Sequence, residues 1–224
     1  MKHNYALVSG YSEAIAYPAR TPPREFFDIW LRNRRSIYVP TLIVSPHPNP
    51  SNAWLPFQLD WITTRTDLGH QCTDGFPQNQ RLAGWSAALV LGALHCYHDG
   101  LDMIFKEQDC LAFGPWVDRL YSEIGDFAAI TGKKNKDFNL TANSLILVKW
   151  KNILDFVSAY ISQPESDAVL YPERKFEVLI AAGMMTNTTM GVDRSRPLPF
   201  EDECWYGQHF TTLEVAELRV RGLI

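Results

Sequence analysis

The sequence has few cysteines, no dense basic run and no long apolar segment, and each absence argues against a class of protein. Its four cysteines are scattered without a Cys-x-x-Cys pair, which speaks against a disulfide framework. The net charge is −4, and no run of Lys and Arg exceeds two residues, so a stripe for binding nucleic acid is lacking. The longest charge-free apolar stretch, residues 84–97, is too short to span a bilayer. We therefore expect neither a nucleic-acid partner nor an integral membrane segment.

The amino terminus also lacks the pattern of a secretory signal. Only residues 5–8 are apolar before Ser9 and Gly10, whereas a signal peptide has a longer apolar region and a small-residue cleavage site. We expect a reduced, cytoplasmic chain. The Asn-x-Thr sequons at Asn139 and Asn187 are then chance matches.

What is present is the composition of an ordinary globular protein. The chain has 224 residues, of which 46% are hydrophobic and 21% are charged. This length buries a sizeable core without disulfide or metal support. The prediction is one domain that spans residues 1–224.

Short apolar runs alternate along the chain with helical patterns, which predicts an α/β fold. Such alternation gives a mostly parallel sheet flanked by helices on both faces, and ligands bind beyond the carboxyl ends of its strands. The predicted strands cover residues 5–9, 38–45, 59–64, 101–105 and 142–149, and the predicted helices cover residues 25–33, 82–97, 116–124, 153–161, 174–181 and 211–221.

An acid pair follows the strand predicted at residues 101–105. Glu107 and Asp109 are separated by one residue, and in a strand such side chains point to the same side. Two carboxylates there suit a hard divalent cation, Mg²⁺ or Mn²⁺, that would bridge the phosphates of a ligand. The alternative is a solvated acidic turn with Lys106 as a neighbour. An acid-x-acid pair is a weak motif by itself.

The order of elements around this pair resembles that of the GT-A fold glycosyltransferases. A strand, a Pro-rich loop, a further strand, a polar loop and an apolar helix precede the Glu107-Gln108-Asp109 segment, which stands where that family has its DxD motif. The resemblance covers roughly residues 5–160 and departs from the pattern in having Glu for the first Asp. It implies a Rossmann-type nucleotide-sugar half in about residues 1–110, and an acceptor-side half with a C-terminal cap in about residues 111–224.

The resemblance also assigns residues to the donor site. Ser9 and Gly10, at the end of the first strand, match the turn beneath the nucleotide, and Arg81 matches a basic residue near the base or phosphates. Asp67 is a candidate for contacting the base or ribose. The alternatives are an Asx turn for Asp67 and a surface charge at a helix start for Arg81.

A catalytic base is expected downstream of the acid pair in inverting members of this family. A sugar hydroxyl is a poor nucleophile until its proton is removed. Glu173 is the candidate, with Asp167 and Glu177 as substitutes. Alternatively, Glu173 is simply an acid that favours the first turn of a helix after Pro172.

Two features near the C-terminus resemble further parts of the family's site. His209 matches a late histidine that completes the metal shell, or it is a hydrogen-bonded structural histidine. Arg194 and Arg196 would neutralise the diphosphate of the leaving group, or they pair with nearby acids. Those acids are Glu201, Asp202 and Glu203.

Histidines and cysteines of the middle region are the alternative candidates for a zinc site. His95 and His98 are three residues apart and would share one helix face. However, no pair has the usual zinc-ligand spacing, and Cys96 and Cys110 lie in apolar surroundings typical of core thiols. A Cys–His nucleophile has no local signature either.

The function that the resemblance implies is glycosyl transfer. The enzyme would move a sugar from a UDP- or GDP-type donor to a hydroxyl of a glycan or other acceptor, with Mn²⁺ or Mg²⁺ and with inversion. One alternative is a sugar nucleotidyltransferase, whose usual Gly-rich, basic signature after the first strand is missing here. The other is a non-catalytic domain of the same fold that binds a nucleotide or a glycan.

Overall fold

The computed structural model describes most of the chain in nine stretches. These are residues 3–11, 21–33, 38–47, 59–64, 84–132, 134–135, 140–163, 172–191 and 196–224. Within them the strands are β1 (Tyr5–Gly10), β2 (Thr41–Ser45), β3 (Leu59–Thr63), β4 (Asp102–Lys106), β5 (Cys110–Phe113), β6 (Ala129–Thr131), β7 (Lys134–Asn135), β8 (Leu140–Thr141), β9 (Leu145–Val148), β10 (Met185–Asn187) and β11 (Trp205–Gln208). The helices are α1 (Pro23–Arg32), α2 (Gly84–Asp99), α3 (Trp116–Glu123), α4 (Ile153–Ile161), α5 (Pro172–Ala181) and α6 (Thr212–Val220), and a 3-10 turn (Trp150–Asn152) precedes α4.

Seven strands form one sheet in the order β10-β6-β9-β4-β1-β2-β3. The pairs β1–β2, β2–β3, β1–β4 and β6–β10 are parallel, whereas β9 runs antiparallel to both β4 and β6. Six of the seven strands therefore point the same way, and their carboxyl ends meet at one edge of the sheet. The predicted fold, a mostly parallel α/β sheet in a single domain, is confirmed.

Helices cover both faces of this sheet, and each face has its own buried cluster. Alternate residues of β1 divide between them, because successive side chains of a strand point to opposite faces. Leu7 belongs to the cluster that includes residues of α1, α3, α6, β5 and β11, whereas Val8 belongs to the cluster that includes residues of α2, α4 and α5. Burial on both faces explains why β1, β2 and β4 have nearly continuous apolar sequences. Among the described helices, none has the length and apolarity needed to cross a membrane.

The strands that the sequence did not predict are the short ones. β6 and β10 have three residues each, and β5 and β11 have four, which is too little chain for a clear period. The prediction was also wrong at the start of β2, which begins at Thr41 rather than Tyr38. Pro40 has no N–H to give to the sheet, so the ladder begins after it.

β5 and β11 form a separate antiparallel ribbon that lies against the large sheet. Their register pairs Cys110 with Gln208 and Phe113 with Trp205. Gly114, after β5, adopts a φ of +69°, and a Cβ there would lie 1.9 Å from the carbonyl oxygen of Glu203. Only glycine allows this close backbone approach, so Gly114 helps to fix where β11 begins opposite β5.

Helix α2 lies unusually close to β1, the central strand of the parallel half of the sheet. A Cβ placed on Gly92 would be 2.3 Å from Cγ1 of Val8. Val8 is completely buried, so its side chain has little room to move away. The absence of a side chain at Gly92 therefore allows α2 to pack directly over β1.

In Gly92→Ala the new methyl group overpacks the contact with Val8, which costs about 1–3 kcal/mol. The gain in helix propensity, about 1 kcal/mol, offsets part of this cost, so we expect a net destabilisation of up to about 2 kcal/mol. Urea denaturation measures the free energy of unfolding. In the Val8→Ala background the same substitution should cost much less, and an equal cost in both backgrounds would contradict the proposed contact.

Candidate functional site

The acid pair lies in a tight turn between the two sheets. β4 ends at Lys106, and the N–H of Cys110 donates to the carbonyl oxygen of Glu107 at 3.0 Å. Glu107 and Asp109 therefore do not alternate along a strand, and the prediction of strand geometry for this pair was wrong. The reason is that the chain leaves the large sheet after Lys106 and enters the β5–β11 ribbon within four residues. The two carboxylates nevertheless converge.

Two further contacts hold the backbone of this turn. The indole Nε1 of Trp30, in α1, donates to the carbonyl oxygen of Glu107 at 2.8 Å. The N–H of Glu107 donates to the carbonyl oxygen of Ser144, just before β9, at 2.9 Å. Both backbone polar groups of Glu107 are thus fixed by elements on either side of it.

A buried lysine lies directly beneath the turn. The Nζ of Lys106 donates to the backbone oxygen and to Oδ1 of Asn33, at 3.1 Å each, and lies 4.7 Å from the ring centre of Trp30. Oδ1 of Asn33 also accepts from the N–H of Ala112 in β5. Burial lowers the pKa of Lys106 from 10.5 to about 7. Asn33 and Lys106 therefore link the end of α1 to both β4 and β5.

The register of β11 brings Gln208 and His209 to the acids. Gln208 pairs with Cys110, the residue after Asp109. The amide Nε2 of Gln208 donates to Oε2 of Glu107 and, at 3.0 Å, to Oδ1 of Asp109. One amide nitrogen therefore bridges two carboxylates that are distant from it in sequence. Gln208 was not among the site residues predicted from the sequence. The signal in the sequence that could have indicated it is its position next to His209, one of the predicted metal ligands.

His209 contacts the same acid from the other side. Its Nε2 lies 3.4 Å from Oδ2 of Asp109, and its side chain is 22% exposed. Its backbone has a φ of +60°, a region that a non-glycine residue rarely adopts. Such conformations tend to persist where the surroundings impose them, commonly at functional sites. The structure thus brings together three residues that the sequence analysis grouped as a metal site, namely Glu107, Asp109 and His209.

Arg196 holds the backbone of this segment. Its guanidinium donates to the carbonyl oxygens of Gln208 and His209 at 3.0 and 3.2 Å, and to the carboxylate of Glu214 in α6. Glu214 also accepts from the N–H of Thr211 in a capping box. Arg196 was predicted to bind the donor diphosphate, and that role stays a prediction. In the structure its guanidinium joins Gln208 and His209 to the start of α6.

The charge of Glu214 is favoured by these contacts. Burial acts to raise the pKa of its carboxyl group, but hydrogen bonds from Arg196 and Thr211 outweigh it and hold the pKa below the ordinary value of 4.5. Glu214 is therefore ionised at neutral pH, where it binds Arg196.

The donor-site predictions fall partly within the described residues. Ser9 is buried at the end of β1, where its Oγ donates to the carbonyl oxygen of Gly10. A Cβ on Gly10 would lie 3.1 Å from Cβ of Ala88 in α2, so this glycine also serves the packing of that helix. Both residues lie at the carboxyl edge of the sheet, where β4 also ends. Asp67, Arg81 and Arg194 lie outside the described residues, so their predicted roles stay predictions.

Glu173 lies in the first turn of α5, away from the acid turn. α5 packs against β8 and β10, and β10 is three strand positions from β4, about 14 Å along the sheet. The structure does not bring Glu173 into the group formed by Glu107, Asp109, Gln208 and His209. The substitute Glu177 accepts a hydrogen bond from Thr141, and Asp167 lies outside the described residues.

The interpretation of two cysteines as core thiols is confirmed. Cys96 and Cys110 are both fully buried. Burial, aided by Asp99 and Asp102, raises the pKa of Cys96 to about 12, so its thiol stays protonated at neutral pH. His95, a candidate zinc ligand in the sequence, contacts an acid one helical turn away: its Nε2 lies 3.3 Å from Oδ2 of Asp99.

The oxygen ligands at the turn are of the type that Mg²⁺ and Mn²⁺ prefer, and one amide nitrogen already contacts both carboxylates. The two carboxylates therefore fit a divalent cation in their ligand chemistry. Within the described stretches, however, no group of three or more His, Cys, Asp or Glu side chains is arranged to hold a metal ion directly. Binding a cation would require the side chains to rearrange.

Comparison by sequence finds no relative. No protein-family model matches the chain, and no curated protein matches it.

Comparison with solved structures finds proteins whose fold is similar to that of this chain. A Bacillus anthracis protein described as a glucose-1-phosphate thymidylyltransferase aligns over 97% of this chain and 94% of its own, with a TM-score of 0.53 and 11% identity. The inositol-1-phosphate CTP transferase of T. maritima aligns over 98% and 96%, with a TM-score of 0.51 and 11% identity. Mouse xyloside xylosyltransferase 1 aligns over 83% and 85%, with a TM-score of 0.47 and 8% identity. The first two likenesses show that this chain has the α/β fold of these nucleotidyltransferases.

We expect Glu214→Gln to destabilise the protein by about 1 kcal/mol at pH 7. Glutamine can keep the capping box but loses the charge that binds Arg196. Because the folded-state pKa of Glu214 lies below 4.5, its contribution is complete above that pH and is lost as the pH falls through the folded value. The difference from wild type, measured by urea denaturation, should shrink accordingly at low pH.

Glu217→Gln is the matched control on the same helix. Glu217 binds Arg221 at 2.9 Å, with both side chains more than 40% exposed. Such an exposed pair contributes little, so this variant should change stability by less than about 0.5 kcal/mol. Equal losses of unfolding free energy in the two variants would contradict the prediction that Glu214 contributes more to stability than an exposed acid on the same helix.

Proposed function

We propose that the protein is a metal-dependent transferase that acts on nucleotide-diphosphate sugars, and that it transfers the sugar to an acceptor hydroxyl with inversion. The observation that carries the proposal is the meeting of Glu107, Asp109 and His209 at the carboxyl edge of the sheet. Open α/β sheets bind their ligands at this edge. The donor is of the UDP or GDP type, and the acceptor is a glycan or another hydroxyl compound.

In this proposal the acid turn would hold a cation together with the diphosphate of the donor. Glu107 and Asp109 would provide the negative charge, and His209 would provide a nitrogen ligand next to Asp109. A bound Mn²⁺ or Mg²⁺ would stabilise the charge that develops on the departing nucleotide diphosphate. The backbone contacts from Trp30 and Ser144 keep the turn in place, so little reorganisation of its main chain is needed.

The remaining proposed roles depend on residues around this turn. Ser9 and Gly10 lie at the end of β1, next to β4, where a nucleotide would lie over the sheet edge. Glu173 is the proposed base for the acceptor hydroxyl. Since α5 packs toward the β10 edge, the acceptor would lie on that side of the cation.

Sugar nucleotidyl transfer is the second candidate. It is favoured by one observation, namely that two likenesses with TM-scores of 0.53 and 0.51 are to proteins described as nucleotidyltransferases and cover nearly the whole of both chains. The two reactions differ in what they release. Glycosyl transfer releases a nucleoside diphosphate from a nucleotide sugar, whereas nucleotidyl transfer to a sugar phosphate releases pyrophosphate from a nucleoside triphosphate.

A donor panel separates these reactions. The protein is incubated with Mn²⁺ and either nucleotide sugars plus acceptors or nucleoside triphosphates plus sugar 1-phosphates, and both diphosphate and pyrophosphate release are measured. We expect diphosphate release that depends on the acceptor. Pyrophosphate release alone would assign the second candidate. Binding of a nucleotide diphosphate with no turnover of any pair would favour a non-catalytic domain.

We expect Asp109→Asn to weaken Mn²⁺ binding by at least about tenfold, because it removes a charged oxygen ligand. Electron paramagnetic resonance of free Mn²⁺ measures the affinity, and diphosphate release measures turnover. Asp155→Asn makes the same change at an exposed position of α4 and should leave both unchanged. A wild-type protein that gains no thermal stability from any nucleotide diphosphate with Mn²⁺ would refute the proposal.

A further inference from the structure

We propose that the side-chain amide of Gln208 occupies the cation position in the metal-free protein and is displaced when a cation binds. Gln208 then sets the cation affinity of the site and keeps the two acids together while no cation is present. The inference rests on the proposed function, since it concerns the same cation.

The contacts of Gln208 are those of a bridge. Its Nε2 donates to Oε2 of Glu107 and to Oδ1 of Asp109. An amide NH₂ group has two hydrogens, one for each carboxylate. Ionised carboxylates only accept hydrogen bonds, so the NH₂ end, rather than the carbonyl end, is the one that faces them. Gln208 and Glu107 are 3% and 6% exposed, so water cannot readily replace the bond between them, whereas the side chain of Asp109 is 32% exposed.

A cation and this amide cannot bind at the same time. Mg²⁺ lies about 2.1 Å from its carboxylate ligands, so a cation shared by Glu107 and Asp109 needs the space that Nε2 fills. The amide hydrogens also carry partial positive charge and would point at the cation. Gln208 must therefore swing or rotate away for the two acids to share a metal ion.

In the metal-free state the bridge from Gln208 stabilises the two carboxylates beside each other. Two carboxylates that share one hydrogen-bond donor repel each other, and the repulsion is screened least at the buried Glu107. Charge-assisted hydrogen bonds from Gln208 offset this repulsion. Each cation that binds must break them, so the same bonds that stabilise the metal-free site lower its affinity.

Because Arg196 fixes the backbone oxygen of Gln208, the displacement is confined to the side chain. The guanidinium also binds the backbone oxygen of His209, so the imidazole keeps its place beside Asp109. The amide can thus leave without unfolding β11. The site opens by rotation of one side chain rather than by movement of a loop.

Gln208→Met tests the inference, because methionine has a similar length but makes no bridge. We expect the variant to melt at a lower temperature than wild type without metal, and to bind Mn²⁺ about tenfold more tightly, since the cation no longer competes with two charge-assisted hydrogen bonds. At saturating Mn²⁺ the difference in melting temperature should shrink. Calorimetry and paramagnetic resonance measure the affinity without any need for turnover.

Gln163→Met is the matched control. The amide of Gln163 donates to the carbonyl oxygen of Ala159 at the end of α4, and this variant should bind Mn²⁺ as wild type does. If Gln208→Met binds Mn²⁺ equally well or more weakly than wild type, the inference is wrong. Weaker binding would mean that Gln208 is itself a ligand.

A second measurement uses the wild-type protein and does not depend on the folding of a variant. The side-chain NH₂ signals of Gln208 are followed by nuclear magnetic resonance while Mg²⁺ is added. We expect them to move toward the values of a solvated amide as the site fills. Unchanged signals at saturation would overturn the inference and leave the proposed function standing, whereas absence of any cation binding to wild type and to Gln208→Met would overturn both.

Discussion

The pairing of β11 with β5 in a single register is the constraint on which the candidate site depends. It places Gln208 opposite Cys110, so that an amide and an imidazole from late in the chain meet two acids from its middle. A slip by one residue would turn the side chain of Gln208 to the other face of the ribbon. Gly114 resists such a slip, because the backbone of Glu203 approaches it too closely for any side chain.

Two sets of contacts hold the site, one from α1 and one from α6, and they use different interactions. On the inner side, Trp30, Asn33 and Lys106 join α1 to the acid turn through buried and partly buried hydrogen bonds. On the outer side, Arg196 joins the Gln208–His209 backbone to α6 through a partly buried ion pair with Glu214. The acids are therefore held by the core of the large sheet, whereas their partners are held by the C-terminal helix. The proposed cation position lies at the junction of these two parts.

The sequence predicted those features that are encoded locally. Continuous apolar runs revealed the buried strands β1 and β4, and two acids after β4 marked the edge of the sheet. Short strands such as β6 and β10 carry too few residues for a period, and their pairing depends on neighbours far away in the chain. Gln208 was missed for a related reason, since its contact with Glu107 exists only once β11 has paired with β5. The residue pattern of a segment predicts the secondary structure of that segment. A contact between two segments depends on the register in which their strands pair, which the local pattern does not give.

The long span of the β5–β11 pairing also bears on how the protein is made. Gln208 lies 99 residues after Asp109, and a chain grows from its amino terminus. The seven-stranded sheet can begin to assemble while β11 is still within the ribosome, but the acid turn meets Gln208 and His209 only after β11 has emerged and paired with β5. The contacts that these two side chains make with the acids are therefore late to form during biogenesis.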